Sequence, residues 1–297
     1  MKKVLYSLRG LRFLIALLVL FIIVNGACEW FRPVSNLGVF RKNDFEKSTS
    51  LHPGNTYRDI LFGNSVVISS FIEDDSVSGY LNFGIDYGKI SDLLGMLTCR
   101  GGITVTDNIV IGLNYFVFMD TLPTNPSYVW HKKPYEPYLY FERDRLSGFF
   151  MNTFTNIISG NHPYMNRYKS LSKELYFGNL TDDELDLKID GYRRDYWGMD
   201  LSGFSQNLTD LMKLIDLCGS RSIRLRAVWM PYNPYSPLPD IYVAVMNEAN
   251  SIFDAGGIEV YDMTDIFQRG MFYDLGHFDY ENGAPAFTKE IDKWLIN

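Results

Sequence analysis

Cysteine is scarce in this sequence of 297 residues, which has three: Cys28, Cys99 and Cys218. Three cysteines at such wide spacings predict neither a disulfide framework nor a zinc site. They permit one Cys99–Cys218 disulfide in an oxidising compartment, or free buried thiols. The sequence also lacks a Gly-x-Ser-x-Gly turn, a His-Glu-x-x-His motif, a P-loop and a Cys-x-x-Cys pair. We therefore expect no bound metal and no cofactor.

Positive charge is scarce in most of the chain. Four basic residues, Lys2, Lys3, Arg9 and Arg12, lie within the first 12 positions. The remainder has 24 basic against 35 acidic side chains, a net charge of −11. Because an acidic body repels a phosphate backbone, we expect no nucleic-acid partner. The hydrophobic fraction of 46% is that of an ordinary folded protein.

A long uncharged run follows the basic N-terminal segment. The sixteen residues from Phe13 to Cys28 carry no charge and include FLIALLVLFIIV. About 20 apolar residues span a bilayer, and basic residues that precede such a run stay in the cytoplasm. We expect residues 1–29 to be an uncleaved single-pass anchor in the cell membrane, with the rest of the chain outside the cytoplasm. A cleaved signal peptide and a lipoprotein lipidated at Cys28 are the alternatives, and both leave the body on the same side.

After an expected juxtamembrane linker at 30–57, the apolar patterns alternate between those of strands and those of helices. The segment 89–100, for example, has its apolar residues at the i, i+3, i+4, i+7 spacing of an amphipathic helix. Such alternation predicts an α/β domain over 58–297, a parallel sheet covered by helices with its site beyond the carboxyl ends of the strands. The predicted strands are 58–62, 80–85, 108–113, 223–230 and 258–262, and further helices lie around 208–215, 242–253 and 287–295.

The stretch 120–205 does not follow this alternation, and we expect it to be an insertion that forms part of a cap over the site. It contains aromatic residues between Tyr128 and Phe141, for which packing of the cap and stacking on sugar rings are the two interpretations. Its acidic segment TDDELDLKID, residues 181–190, lacks the glycine and the ligand spacing of a calcium loop. We expect a solvated face there.

Two strand ends and one C-terminal turn carry the residues suited to acyl transfer. The first predicted strand runs into Gly63-Asn64-Ser65, and the third runs into Gly112-Leu113-Asn114. Asp274 precedes His277 by three residues, so one loop can join the carboxylate to the imidazole. Acyl transfer by serine needs a nucleophile, an imidazole base, a carboxylate that orients the base and donors for the oxyanion. We predict a catalytic triad of Ser65, His277 and Asp274.

These segments resemble, in order, the four sequence blocks of the SGNH (GDSL-like) hydrolase superfamily. Gly63-Asn64-Ser65 resembles the first block, with Asn64 in place of the family's aspartate, and YLNFGIDYG, IGLNYF and DLGHFDYENG resemble the other three. The resemblance implies a three-layer, flavodoxin-like α/β fold and an oxyanion hole formed by Ser65, Gly88 and Asn114. Gly84 and Tyr87 are alternatives to Gly88, because the second block departs from the family's spacing.

A membrane helix joined to such a domain resembles one branch of this superfamily. That branch includes the alginate and secondary-cell-wall-polysaccharide acetyltransferases and the D-alanyl transfer protein of teichoic acids. The resemblance implies an extracytoplasmic O-acyltransferase, most simply for acetyl, that modifies a cell-surface polysaccharide through an acyl-enzyme on Ser65. It also implies a partner, a membrane-bound O-acyltransferase (MBOAT), that supplies the acyl group. A carbohydrate esterase and a non-catalytic subunit of the acyltransferase complex are the alternatives.

Overall fold

The computed structural model describes residues 2–159 and 176–296. The chain divides into two units, of which the first comprises Met1–Glu46 and His131–Arg167 and the second comprises Lys47–Trp130 and Tyr168–Asn297. The stretch 120–205, expected to be one insertion, is therefore divided between them. Its middle part belongs with the N-terminal residues, and its two ends belong with the unit that contains the sheet.

The second unit is built on a five-stranded sheet in which each pair of neighbouring strands is parallel. The strand order is β2-β1-β3-β4-β5, which is the flavodoxin-like doubly wound order. The predicted α/β fold is confirmed. The strands are β1 (Thr56–Phe62), β2 (Leu81–Asn82), β3 (Thr104–Leu113), β4 (Arg224–Trp229) and β5 (Glu259–Asp262).

Two strands differ from the predicted bounds. The strand predicted at 80–85 is reduced to Leu81–Asn82. The chain beyond it stays beside β1 through single hydrogen bonds, from Phe83 N–H to Leu61 O at 2.8 Å and from Ile85 N–H to Gly63 O at 3.0 Å, and no ladder continues. In contrast, β3 begins four residues earlier than predicted, because Thr104 and its neighbours pair with the start of β1 across an irregularity in the register.

Helices cover the sheet. On one face, the first helix after β1 and the C-terminal helix pack over the apolar side chains of Leu61, Val110 and Val228. The helix Ser205–Ser220 (α9) packs against both Ile90–Thr98 (α5) and Asp240–Ala255 (α10). The α-helices are α1 (Lys2–Phe31), α2 (Pro33–Asn36), α3 (Asp44–Leu51), α4 (Ser65–Ser70), α5 (Ile90–Thr98), α6 (Tyr138–Phe141), α7 (Arg143–Ile158), α8 (Asp182–Asp195), α9 (Ser205–Ser220), α10 (Asp240–Ala255) and α11 (Gly283–Leu295). Short 3₁₀ helices lie at Glu73–Asp75, Tyr115–Phe118, Val129–His131, Leu201–Phe204 and Arg269–Met271.

The N-terminal helix α1 contains the uncharged run. In the described part of the chain, one segment, Leu11–Asn36, is long and apolar enough to cross a membrane, with a mean hydropathy of 2.5. The following residues, expected to be an irregular linker, contain the helices α2 and α3. Within the same unit, the Tyr138 hydroxyl accepts a hydrogen bond from Val34 N–H at 2.9 Å, and Arg145 pairs with both Glu46 and Glu142.

The aromatic residues between Tyr128 and Phe141 do not form one surface. Tyr128 is buried and stacks on Trp130, whose indole lies against Gly95 and donates to Asp92 at 2.8 Å. Tyr138 is buried in the other unit. These contacts favour packing over sugar stacking as the role of the buried members. The three cysteines are not joined by disulfides, and burial raises the pKa of Cys218 to about 11.

Candidate active site

Ser65 lies at the carboxyl end of β1, as the first residue of α4. The chain turns there in a confined space, because a side chain at Gly63 would meet Val67 at 2.3 Å and the Gly112 carbonyl at 3.0 Å. Asn64 caps the helix by accepting a hydrogen bond from Val66 N–H at 3.1 Å. The N–H of Ser65 has no acceptor among the described residues. Gly63 and Asn64 thus position the Ser65 hydroxyl and the unpaired Ser65 N–H together at the carboxyl end of β1.

The structure brings Ser65, His277 and Asp274 together in the order that a triad requires. Ser65 Oγ lies 2.9 Å from His277 Nε2. On the other side of the ring, Nδ1 lies 2.9 and 3.0 Å from the two carboxylate oxygens of Asp274. The loop is closed by hydrogen bonds from Tyr273 N–H to His277 O and from His277 N–H to Asp274 Oδ1. The carboxylate thus fixes both the backbone and the ring of the histidine.

The Asp274 carboxylate is almost completely buried. Burial by itself would raise its pKa, but the neighbouring His277 and Lys188, with the hydrogen bonds that they make, outweigh burial and hold the pKa below its usual range. The N–H of Gly276 donates to the same carboxylate at 2.9 Å. Asp274 is therefore an anion at neutral pH and accepts from His277 Nδ1.

Lys188 is a member of the site that the sequence did not reveal. Its ammonium pairs with Asp274 Oδ2, and it lies on α8, in the segment predicted to be a solvated face. That prediction was wrong for one side of the helix, because Leu185 and Ile189 are buried against Leu275. Leucine and isoleucine four residues apart, with Lys188 beside them, are the amphipathic signal that the acidic composition obscured.

Tyr176 is a second member of the site that the sequence did not reveal. Its ring stacks on the His277 ring, with centroids 4.0 Å apart and planes at 14°. Burial, together with the charge of Asp274, raises the pKa of Tyr176, while an interaction with the Ser65 side chain acts in the opposite direction. The phenol therefore stays neutral and restricts the imidazole to the plane that faces Ser65.

Asn114 lies at the carboxyl end of β3, next to the serine turn. Its Oδ1 accepts from Phe116 N–H at 3.1 Å and from Asn64 Nδ2 at 2.9 Å. Its Nδ2 is then directed toward Asn64 Oδ1, 3.3 Å away, and has a second hydrogen for a ligand. Asn114 lines the same cavity as Ser65, as the predicted oxyanion role requires.

Gly88 does not fit the oxyanion role predicted for it. Its N–H donates to Ile85 O at 2.9 Å, and the residue does not line the cavity. A side chain at this position would meet the Gly63 carbonyl at 2.7 Å, so glycine serves the close approach of two backbone segments. The preceding residue, Tyr87, lines the cavity with φ of 53°, and its N–H has no acceptor among the described residues. A strained backbone of this kind is common at functional sites.

These residues surround one cavity of about 360 Å³ at the carboxyl edge of the sheet. Ser65, His277 and Asn114 form one part of its wall, and the other part is mainly aromatic. Helix α8 contributes Lys188 and Tyr192, and Tyr196 follows it, so the C-terminal part of the 120–205 stretch lines the cavity. The site combines a nucleophile, a base, a buried carboxylate and donors for an oxyanion, which together suit acyl transfer.

No family model matches the sequence, and no curated protein matches it. Among solved structures, the chain is similar to the crystal structure of a candidate acylhydrolase from Bacteroides fragilis NCTC 9343. The TM-score is 0.40 and the sequence identity 10%, over 82% of this chain and 88% of that one. A similarity of this size carries no information on activity, so the chemistry must be inferred from the geometry of the site.

Proposed function

We propose that this protein is a serine-dependent acyl-transfer enzyme whose nucleophile is Ser65. The observation that carries the proposal is the continuous chain of contacts from Ser65 Oγ through the His277 ring to the buried Asp274 carboxylate, each at 2.9–3.0 Å. Such an arrangement orients the imidazole so that Nε2 is the acceptor for the serine proton. A purely structural role for Ser65, His277 and Asp274 does not explain why these contacts lie beside an open cavity.

In the proposed reaction, Ser65 Oγ attacks the acyl carbon of a bound donor and transfers its proton to His277 Nε2. As the bond between the acyl carbon and the leaving oxygen breaks, the imidazolium returns this proton to the leaving oxygen. An incoming hydroxyl then gives its proton to Nε2 and attacks the acyl carbon. As the bond between the acyl carbon and Ser65 Oγ breaks, the imidazolium returns the proton to Oγ, and the free enzyme is restored. Asp274 stays ionised throughout and stabilises the imidazolium through Nδ1–H.

The oxyanion formed in each step needs donors on one side of Ser65. We assign this role to the N–H of Ser65, the N–H of Tyr87 in place of Gly88, and Nδ2 of Asn114. All three residues line the cavity, and neither backbone N–H has a protein acceptor among the described residues. Loss of one such donor typically lowers kcat by about 10²–10³-fold, and we expect this for Asn114→Ala.

We further propose that the acceptor is a hydroxyl of a cell-surface polysaccharide and that the acyl group is most simply acetyl. The proposal has two supports: the resemblance of the sequence blocks to membrane-anchored O-acyltransferases, and an N-terminal helix of the length and hydropathy of a membrane anchor. The basic residues before the uncharged run favour a cytoplasmic N-terminus and, with it, a site outside the cytoplasm. Protease added to intact spheroplasts should then cleave the body, and protection until lysis would contradict this topology.

An external transferase needs a source of acyl groups, because acyl-CoA is cytoplasmic and charged. We propose that a membrane-bound O-acyltransferase of the MBOAT type delivers the group across the bilayer, with the anchor raising the local concentration of the two proteins. The protein would be expressed alone and with such a partner, and ester on the surface polymer measured. Full acylation without the partner, or removal of ester in its presence, would contradict the transferase and favour an esterase.

The catalytic proposal is tested by kinetics on the purified full-length protein in detergent. We expect Ser65→Ala and His277→Ala to lower kcat with an activated acetyl ester by about 10⁶-fold, as removal of a triad member does in a serine protease. Near-ultraviolet circular dichroism verifies that each variant is folded. Retention of more than a few per cent of activity by folded Ser65→Ala would contradict the assignment of the nucleophile.

A further inference from the structure

One part of the cavity wall is formed by tyrosines that come from three separate elements. Tyr115 lies two residues after the end of β3, Tyr232 follows β4, Tyr192 lies on α8, and Tyr196 directly follows α8. Since β3 lies between β1 and β4, the ends of β1 and β4 are two strand spacings apart, or about 10 Å. A ligand that is joined to the acyl group at Ser65 therefore extends along the cavity past Asn114 to reach these rings.

The hydroxyl hydrogens of Tyr115, Tyr192 and Tyr232 have no acceptor among the described residues. Tyr115 Oη accepts a hydrogen bond from Trp197 Nε1 at 3.3 Å, and its own hydrogen has no acceptor among the described residues. The buried hydroxyl of Tyr232 has no partner within hydrogen-bond geometry, although Ser236 is a polar neighbour. In the described part of the chain, Tyr192 Oη also makes no hydrogen bond. A buried hydroxyl without a partner, such as that of Tyr232, costs about 1–3 kcal/mol, so this part of the cavity is suited to a polar ligand.

Burial keeps these phenols neutral. It is the main cause that raises the pKa of Tyr232 to about 12 and the pKa values of Tyr115 and Tyr192 further above the usual value. They are therefore O–H donors at any physiological pH. The ammonium of Lys188 is already paired with Asp274, and Asp86 also lines the cavity. An anionic group would meet no uncommitted cation among the described lining residues, so an uncharged ligand is favoured.

We propose that Tyr115, Tyr192 and Tyr232 form a subsite for an uncharged, multiply hydroxylated ring of the sugar type, carried by the alcohol half of the ester. The inference rests on the proposed acyl transfer at Ser65 and specifies which part of the substrate this site distinguishes. Aromatic faces pack on the C–H surface of such a ring, and the three O–H groups donate to its oxygens. The edge-on packing of Tyr192 against Phe116 holds its ring in place, with centroids 5.6 Å apart.

The test compares two acetyl esters in which an acetoxymethyl group is attached to a six-membered ring. Methyl 6-O-acetylglucopyranoside and cyclohexylmethyl acetate both carry the ester on a methylene attached to a six-membered ring, but only the first ring has hydroxyls. For the full-length protein in detergent, we expect kcat/KM to favour the sugar ester. Tyr192→Phe and Tyr232→Phe should each lower the ratio of the two kcat/KM values by about 5-fold, the effect of one hydrogen bond. Tyr261→Phe, which packs on Trp294 outside the cavity, is the matched control and should leave the ratio unchanged.

The outcomes separate the subsite from the reaction. An unchanged ratio in both tyrosine variants, or a wild-type preference for the cyclohexyl ester, would overturn the subsite while leaving catalysis by Ser65 intact. If neither ester is turned over, the proposed reaction fails for these donors. The subsite is then tested by whether the protein binds the sugar itself. Saturation-transfer NMR on Ser65→Ala should then detect methyl glucopyranoside, with a signal reduced by Tyr192→Phe and Tyr232→Phe. Equal signals in all three proteins would overturn the proposal.

Discussion

The side-chain amides of Asn64 and Asn114 form a reciprocal pair beside the nucleophile. Asn64 Nδ2 donates to Asn114 Oδ1 at 2.9 Å, and Asn114 Nδ2 lies 3.3 Å from Asn64 Oδ1. Neither amide can be reversed, because Val66 N–H donates to Asn64 Oδ1 and Phe116 N–H donates to Asn114 Oδ1. Asn64 thus orients the proposed oxyanion donor, Asn114.

Asn64→Asp should impair catalysis. The substitution removes the donor to Asn114 Oδ1 and places a carboxylate oxygen against it, while the backbone N–H of Phe116 prevents Asn114 from turning. We expect kcat/KM for an acetyl ester to fall at least about 10-fold, the cost of one lost and one repulsive contact in a buried site. Asn250→Asp is the matched control, because Asn250 only accepts from Trp229 and lies outside the cavity. Wild-type kinetics for Asn64→Asp would refute this role of the pair.

Lys188 is expected to act as a positioning residue through its charge. Removal of a cation next to Asp274 favours the protonated imidazole, so Lys188→Met should move the acidic limb of the kcat/KM profile to higher pH. A charge within a few ångströms of a titrating group typically changes its pKa by about 1–3 units, so we expect a displacement of about 1 pH unit or more. Lys188→Arg retains the charge and should restore most of the wild-type profile. A limb at the same pH in all three proteins would show that the ion pair is only structural.

Glu142 should make the N-terminal unit sensitive to pH. Burial raises its pKa to about 7, although Arg145 opposes the change. Because the folded pKa lies above the unfolded value of about 4.3, the stability gained from the protonated form is complete below that value and is lost as the pH rises through about 7. Glu142→Gln keeps an acceptor for Arg145 without this titration. The Tm of Glu142→Gln minus the Tm of wild type should therefore be larger at pH 8 than at pH 5, by at least about 3 °C.

The control for Glu142 is Asp144→Asn, which changes an exposed carboxyl on the adjacent turn. The measurement is thermal unfolding of the detergent-solubilised protein at the two pH values. Equal Tm differences for Glu142→Gln at pH 5 and pH 8 would contradict the assignment of a buried, weakly acidic carboxyl.

Local features of the sequence were sufficient to predict the strand-helix alternation and the positions of Ser65, Asn114, Asp274 and His277. Each of these residues lies at a strand end or within one loop, where neighbouring residues determine the backbone. The oxyanion role predicted for Gly88 does not fit the structure, because a glycine in such a motif can either offer its N–H to a ligand or permit two backbone segments to approach closely. Its N–H is used within the turn from Ile85, and this choice depends on the close approach of Gly63, which is distant in sequence.

Lys188 could not be assigned for a related reason. The helix that carries it is 86 residues from Asp274 in sequence, and its composition is that of an exposed acidic surface. Only the packing of Leu185 and Ile189 on Leu275 turns the lysine toward the carboxylate. The tyrosines of the proposed subsite, Tyr115, Tyr192 and Tyr232, also come from three separate elements, so only the tertiary structure brings them together.

The central claim is that Ser65 forms a covalent acyl-enzyme with the help of His277. The most direct measurement is intact and peptide mass spectrometry of the full-length protein after rapid acid quenching from an activated acetyl ester. We expect one added acetyl group of about 42 Da on the peptide that contains Ser65, and none in Ser65→Ala or His277→Ala, since attack by serine needs both the hydroxyl and the base. Acetylation at another residue, or equal labelling of wild type and Ser65→Ala, would contradict the account.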